Sequence, residues 1–230
     1  MEIYLDENGI TIKCTQNCMP GFKQLVNGIE YEVVDENLLL ERFYENSDLT
    51  KLCVSLVTNM KNLFRKTYFN QPIGNWDVSN VKDMSNMFYR SSFNQCIKYW
   101  DVSKVINMKY MFFESEFNKS IRDWNVCKVR DMSFMFGRSL FNQPIGDWNV
   151  SNVRNMYAMF FYSKYNHCIS NWNVSKVRDM SGMFNSSKFN QPIYNWDISN
   201  LTNKNYMFCD KDVNMSIENW NLRFLKDQNL

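Results

Sequence analysis

Seven tryptophans, Trp76, Trp100, Trp124, Trp148, Trp172, Trp196 and Trp220, stand 24 residues apart, and the chain has no other. A strict period of this length marks a stacked repeat, in which one unit is too small to bury its own apolar face and its neighbours cover it. Other columns keep the same step. Ile73 and its successors to Ile217 precede each Trp by three residues, and Val78 to Leu222 follow it by two. The pair Met87-Phe88 recurs down to Met207-Phe208, and Asn70, Asn94, Asn118, Asn142, Asn166 and Asn190 recur six residues before each Trp. A weaker copy lies upstream, with Leu52 in the Trp column. The period therefore divides the chain into an N-terminal cap over 1–44, seven repeats over 45–212 and a partial C-terminal repeat over 213–230.

Each unit carries two local patterns. Trp76 and Val78 alternate with polar Asn75 and Asp77, which predicts a short strand with one buried face. Val81, Met84, Met87 and Phe88 then follow at helical spacing, with Ser79 placed as an N-cap and Asp83 in the first turn, which predicts a helix over 79–88. The Trp, Ile, Met and Phe columns are the expected core, and the Asn70 column an expected buried amide ladder. Within the cap, Asp35 is a candidate N-cap for a helix over 36–44.

The phrase FNQPIGNWDVSNVKDMSNMF resembles the repeat of the BspA-like surface proteins, a divergent leucine-rich-repeat family found in mycoplasma-type lipoproteins and also in giant viruses. The similarity covers about residues 45–226. It implies an α/β, leucine-rich-repeat-like solenoid of 24-residue strand-plus-helix coils, preceded by a small hairpin and helix cap. It also implies adhesion or partner binding. Unlike the surface members, the sequence shows no signal peptide or lipobox, so the expected location is intracellular or in a virion rather than at a cell surface.

Catalysis finds little support in the residues. The single histidine, His167, fits an ordinary unit as a surface substitution, and no phosphate-binding glycine motif, HExxH or G-x-S-x-G is present. The seven cysteines are scattered and are read as free thiols; only Cys14 and Cys18 are spaced to pair or to share a ligand. No cofactor and no metal are expected, and no apolar run is long enough to span a membrane.

Function then belongs to the outward columns. The expected strand face carries Asp77, Tyr99, Asp101, Asp123, Asn125, Asp147, Asn149, Asn173 and Asp197, the preferred contact surface for a protein partner. A basic ridge of Lys82, Lys104, Lys128, Arg130, Arg154, Lys176 and Arg178 suits an acidic ligand or nucleic acid, although Asp83, Asp131 and Asp179 beside it predict a face compensated within itself. Variable aromatics, Tyr110, Phe113, Phe134, Phe161, Tyr162 and Tyr206, form a third set. The apolar tail around Trp220 suggests a homo-oligomer through the C-terminal end. Three readings follow: a non-catalytic interaction module using the strand face, a self-assembling structural component, or an acidic-ligand or nucleic-acid binder, with nucleic acid the least expected partner at a net charge of +2.

Overall fold

The computed structural model describes residues 1–208. Trp220, the partial repeat over 213–230 and the expected C-terminal association surface lie outside the described residues.

The chain opens with an antiparallel hairpin, β1 (Ile3–Leu5) against β2 (Ile12–Cys14). A second hairpin pairs β3 (Lys23–Val26) with β4 (Ile29–Val33), and β4 runs parallel to β5 (Leu52–Cys53) in the first repeat. Between them lies α1 (Glu36–Tyr44), which has the expected bounds. Asp35 Oδ1 accepts from the Leu38 N–H at 2.9 Å, one of the orphan donors of the first turn. Beyond the β4–β5 pairing, further hydrogen bonds tie the cap to the repeats. The Ile12 N–H donates to the Asn75 carbonyl at 2.8 Å, and Glu36 Oε1 accepts from the Thr58 N–H at 2.7 Å and hydroxyl at 2.8 Å.

From Asn59 to Asn203 successive copies meet in parallel, with bridges Asn59 to Asp83, Asp83 to Asn107, and onward at the same register to Asn203. Side chains of one column therefore lie over one another. Trp76, Trp100, Trp124 and Trp148 stack with centroids 6.4–6.5 Å apart and planes within 6°. Phe88, Phe112, Phe136, Phe160 and Phe184 form a second stack at 5.6–5.9 Å. From Trp100 to Trp196 each indole N–H also donates to the carbonyl three residues before the preceding Trp; Trp124 Nε1 reaches the Ile97 oxygen at 3.1 Å. Burial of a ring and satisfaction of its polar atom thus depend on the neighbouring unit.

The backbone of the unit differs from the sequence expectation. Among the described residues, 79–88 is a run of turns, not a helix. Its N–H groups alternate. Met84, Asn86, Phe88 and Arg90 donate to the Asn107, Lys109, Met111 and Phe113 carbonyls of the next unit at 2.8–3.0 Å, whereas Met87, Tyr89 and Ser91 donate three residues back at 3.2 Å. Asn86 (φ 57°) and Arg90 (φ 52°) are left-handed, as are Tyr110 and Glu114, and Phe134 and Arg138, in later units. A left-handed residue every fourth position ends a helix before it begins, and it turns alternate donors toward the neighbour. The apolar spacing of three, three and one suits this arrangement as well as it suits a helix. The stretch Trp76–Val78, expected as a strand, makes one parallel bridge, Trp76 to Ile12 of the cap, and the Trp76 N–H donates to the Ile73 carbonyl at 3.2 Å. The sheet-like ladder between units thus runs along the segment expected to be helical.

The Asn column is a ladder, but an exposed or half-exposed one, where burial was expected. Asn70 Oδ1 accepts from the Asn94 N–H at 2.9 Å, and the pattern repeats through Asn118, Asn142 and Asn166 to Asn190 at 2.9–3.1 Å. Among the described residues no helix is long and apolar enough to cross a membrane.

Candidate binding surface

The Asp/Asn column next to each Trp is engaged in building turns. Asp77 is buried: its Oδ2 accepts from Ser55 Oγ at 2.6 Å and its Oδ1 from the Ser79 N–H at 3.2 Å. Asp101, Asn125, Asn149, Asn173 and Asp197 are exposed, and each accepts from the N–H two residues on at 3.0–3.2 Å. This is the local side-chain-to-backbone bond that makes short Asx turns. The Ser199 N–H holds the Asp197 carboxyl below its ordinary value. In the column before Trp, Tyr99, Asp123 and Asp147 are exposed; the Lys98 ammonium lies 4.5 Å from the Tyr99 ring centre, and Asp147 pairs with Arg122.

The basic ridge is placed differently from its expected compensation. Lys82, Lys104, Lys128, Arg130, Arg154, Lys176 and Arg178 are all exposed. Among the described residues none of the seven forms an ion pair. The carboxylates expected to balance them face elsewhere: Asp83, Asp131 and Asp179 accept from the Ser85, Ser133 and Ser181 N–H groups at 2.7–2.8 Å and from the side-chain amides of Asn107, Asn155 and Asn203. Lys104 and Lys176 donate to the neutral amides of Asn80 and Asn152, both at 2.7 Å. The Arg154 N–H donates to the Arg130 carbonyl at 2.9 Å, and the Arg178 N–H to the Arg154 carbonyl at 2.9 Å, so three guanidinium stems leave the backbone one unit apart. That spacing, about 4.8 Å between bonded backbones, builds a row of like charge.

The variable aromatics gather along the ladder side. Phe113 is buried, Tyr110 and Phe134 are stacked at 4.5 Å, and Tyr162 and Tyr206 are exposed. Arg138 lies 5.6 Å from the Phe161 ring centre and 5.2 Å from that of Tyr162. Sequence reasoning missed a break in this set. The column holding Tyr110, Phe134 and Tyr206 holds Ala158 and Gly182 between them. The break opens a recess of about 490 Å³.

The cysteines of the described residues are free. Cys14 and Cys18 belong with Cys53 to one small apolar cluster between the cap and the first repeat. A hydrogen bond between Cys14 and Cys53, together with burial, pushes the Cys14 thiol up, and the same bond lowers that of Cys53. No group of three or more His, Cys, Asp or Glu side chains among the described residues is placed to hold a metal ion. His167 is half-buried, with Nε2 3.0 Å from the Asn142 carbonyl oxygen.

A family described as a Mycoplasma protein of unknown function, DUF285, matches this chain in three overlapping stretches, residues 36–140, 58–164 and 137–229. No curated protein and no solved structure matches it.

Proposed function

This chain belongs to the Mycoplasma protein family of unknown function DUF285, and on that premise we propose that it is a non-catalytic binding module built on a leucine-rich-repeat-like solenoid of the BspA-like kind. The 24-residue period, the parallel bridges and the stacked rings support the solenoid. Its contact surface is the basic row, and its partner is an acidic protein segment. The observation that carries this reading is the set of seven exposed cations without an ion pair, beside carboxylates already engaged with serines and asparagines. Like charges one unit apart work against the compact state, and an anionic partner relieves that repulsion. The Asp/Asn face is the weaker candidate, because its oxygens already close turns. No aromatic ring belongs to the row, which argues against the stacking platform of a single-stranded nucleic-acid binder. A reducing compartment is part of the same proposal, supported by the six free thiols.

The test is fluorescence anisotropy with a labelled polyglutamate peptide, at low and at high salt. Saturable binding is expected, weakened by salt and lost in the triple variant Arg130→Gln, Arg154→Gln, Arg178→Gln. Absent binding, or equal binding by the variant, overturns the proposal. Tighter binding of labelled oligothymidylate than of polyglutamate would transfer the row to nucleic acid.

A further inference from the structure

The recess at Ala158 and Gly182 is a different surface from the basic row. Its volume is about 490 Å³, within the range of small-ligand sites. Phe134, Tyr157 and Phe161 bound it on one side and Tyr206 on the other, while Ala158 and Gly182 leave the space that a ring fills in the Tyr110 and Phe134 units. Tyr157 and Tyr206 are 41% and 78% exposed, so ring surface is open to an occupant. The remaining lining is Asp179, Ser181, Asn185, Asn203 and Asn205.

We infer that this recess binds one neutral pyranose residue of a glycan. Charge limits the choice first. Among the described residues the lining holds no cation, so a phosphate or carboxylate ligand finds no counter-charge there. Its one carboxylate among the described residues, Asp179, already accepts from the Ser181 N–H, the Ser181 hydroxyl and the Asn203 amide, at 2.8, 2.6 and 3.3 Å, which occupies the lone pairs that a cation would need. A neutral ligand with a flat apolar face remains. Between a sugar and an aromatic side chain, the polar rim decides. Asn185 and Asn203 each spend one amide N–H within the protein, on the Tyr206 carbonyl and on Asp179, and keep a second; a purely aromatic occupant would desolvate these and the Asn205 amide without offering partners. A pyranose offers C–H groups to the rings and hydroxyls to the amides.

The fold supplies a clean test. Phe134 occupies the Gly182 column with φ 55°, close to the 62° of Gly182, so the backbone there accepts a phenyl group. A β-carbon at Gly182 meets nothing nearer than 3.9 Å. Gly182→Phe is therefore expected to fill the recess in a folded chain. Gly182→Ala controls for the left-handed backbone and leaves the recess open. The probes are the methyl glycosides of glucose, galactose, mannose and N-acetylglucosamine, with N-acetyltyrosinamide as the aromatic comparison, followed by saturation-transfer NMR on the full chain. At least one glycoside is expected to bind at millimolar concentration, to bind Gly182→Ala comparably, and to bind Gly182→Phe at least about tenfold more weakly. No glycoside binding, unchanged binding by Gly182→Phe, or binding of N-acetyltyrosinamide alone overturns the inference. None of these variants touches the basic row, so the outcome is independent of the polyglutamate experiment.

Discussion

Asn107 donates its side-chain amide to the Asp83 carboxylate of the preceding unit, Nδ2 to Oδ2 at 3.2 Å. Asn155 does the same to Asp131 at 3.5 Å and Asn203 to Asp179 at 3.3 Å. The column reads Asn59, Asp83, Asn107, Asp131, Asn155, Asp179, Asn203, a strict alternation. Stacking brings equivalent side chains within about 4.8 Å, where two carboxylates would repel by about 1 kcal/mol in water and more in a half-buried site. Alternation keeps every charge next to an amide that donates to it, or is free to.

Asn107→Asp should break this device by placing three carboxylates in succession. The expected loss is about 1–2 kcal/mol, partly recovered in high salt. Urea denaturation at two ionic strengths measures both. Equal stability of variant and wild type would mean that the alternation is incidental.

Tyr165→Phe should stabilise the chain. Five other units place Phe in this column, at Phe69, Phe93, Phe117, Phe141 and Phe189. The Tyr165 hydroxyl is buried without a hydrogen bond of normal geometry, and the nearby Ile145 backbone only partly offsets that burial. Burial raises the phenol above its ordinary value for the same reason. Removing the hydroxyl is expected to gain about 0.5–1 kcal/mol, read as a higher melting temperature.

Acid should loosen the cap. Arg42 forks onto Glu32, with Nε to Oε2 at 2.8 Å and Nη2 to Oε1 at 2.9 Å, tying α1 to β4. The Arg42 hydrogen bonds hold the Glu32 carboxyl below its ordinary value, against the opposing effect of burial. A carboxyl depressed in the folded state contributes stability that is full above its unfolded pKa, about 4.3, and is lost as pH falls through the lower folded value. Protection factors of cap amides, with exchange corrected for the intrinsic rate at each pH, should therefore fall below about pH 4. Glu32→Gln should cost about 1–2 kcal/mol near neutrality and lose much of this acid sensitivity.

Trp124→Ala should remove a central ring from the stack and the donor to the Ile97 carbonyl. About 3–5 kcal/mol of local stability is expected to go. In a linear array the interface on either side of the lesion then weakens, so one denaturation transition should become two. A single unchanged transition would contradict nearest-neighbour stacking as the source of stability.

Much of this was legible from the period. Identical columns named the buried Trp, Ile, Met and Phe residues, because stacking forces one environment on one column. Asp35 marked the start of α1 through capping chemistry alone. The backbone within a unit was not legible, because Val81, Met84, Met87 and Phe88 satisfy a turn ladder and a helix equally. The distinguishing signal was Asn62 and Asn86, asparagines in a column that requires left-handed φ, but Tyr110 and Phe134 hide it in later units. The freedom of the basic row was equally hidden. Adjacency in sequence set Asp83 beside Lys82, while the ladder directs Asp83 to Ser85 and Asn107.

The most direct test of the proposed function is arginine footprinting with phenylglyoxal, read by mass spectrometry, with and without polyglutamate. Protection of Arg130, Arg154 and Arg178 is predicted, with Arg65, which lies 5.0 Å from the Tyr89 ring centre on the ladder side, reacting equally in both. Equal reactivity of the three arginines with and without the peptide, or protection of Arg65 instead, would contradict the assignment of the row as the contact surface.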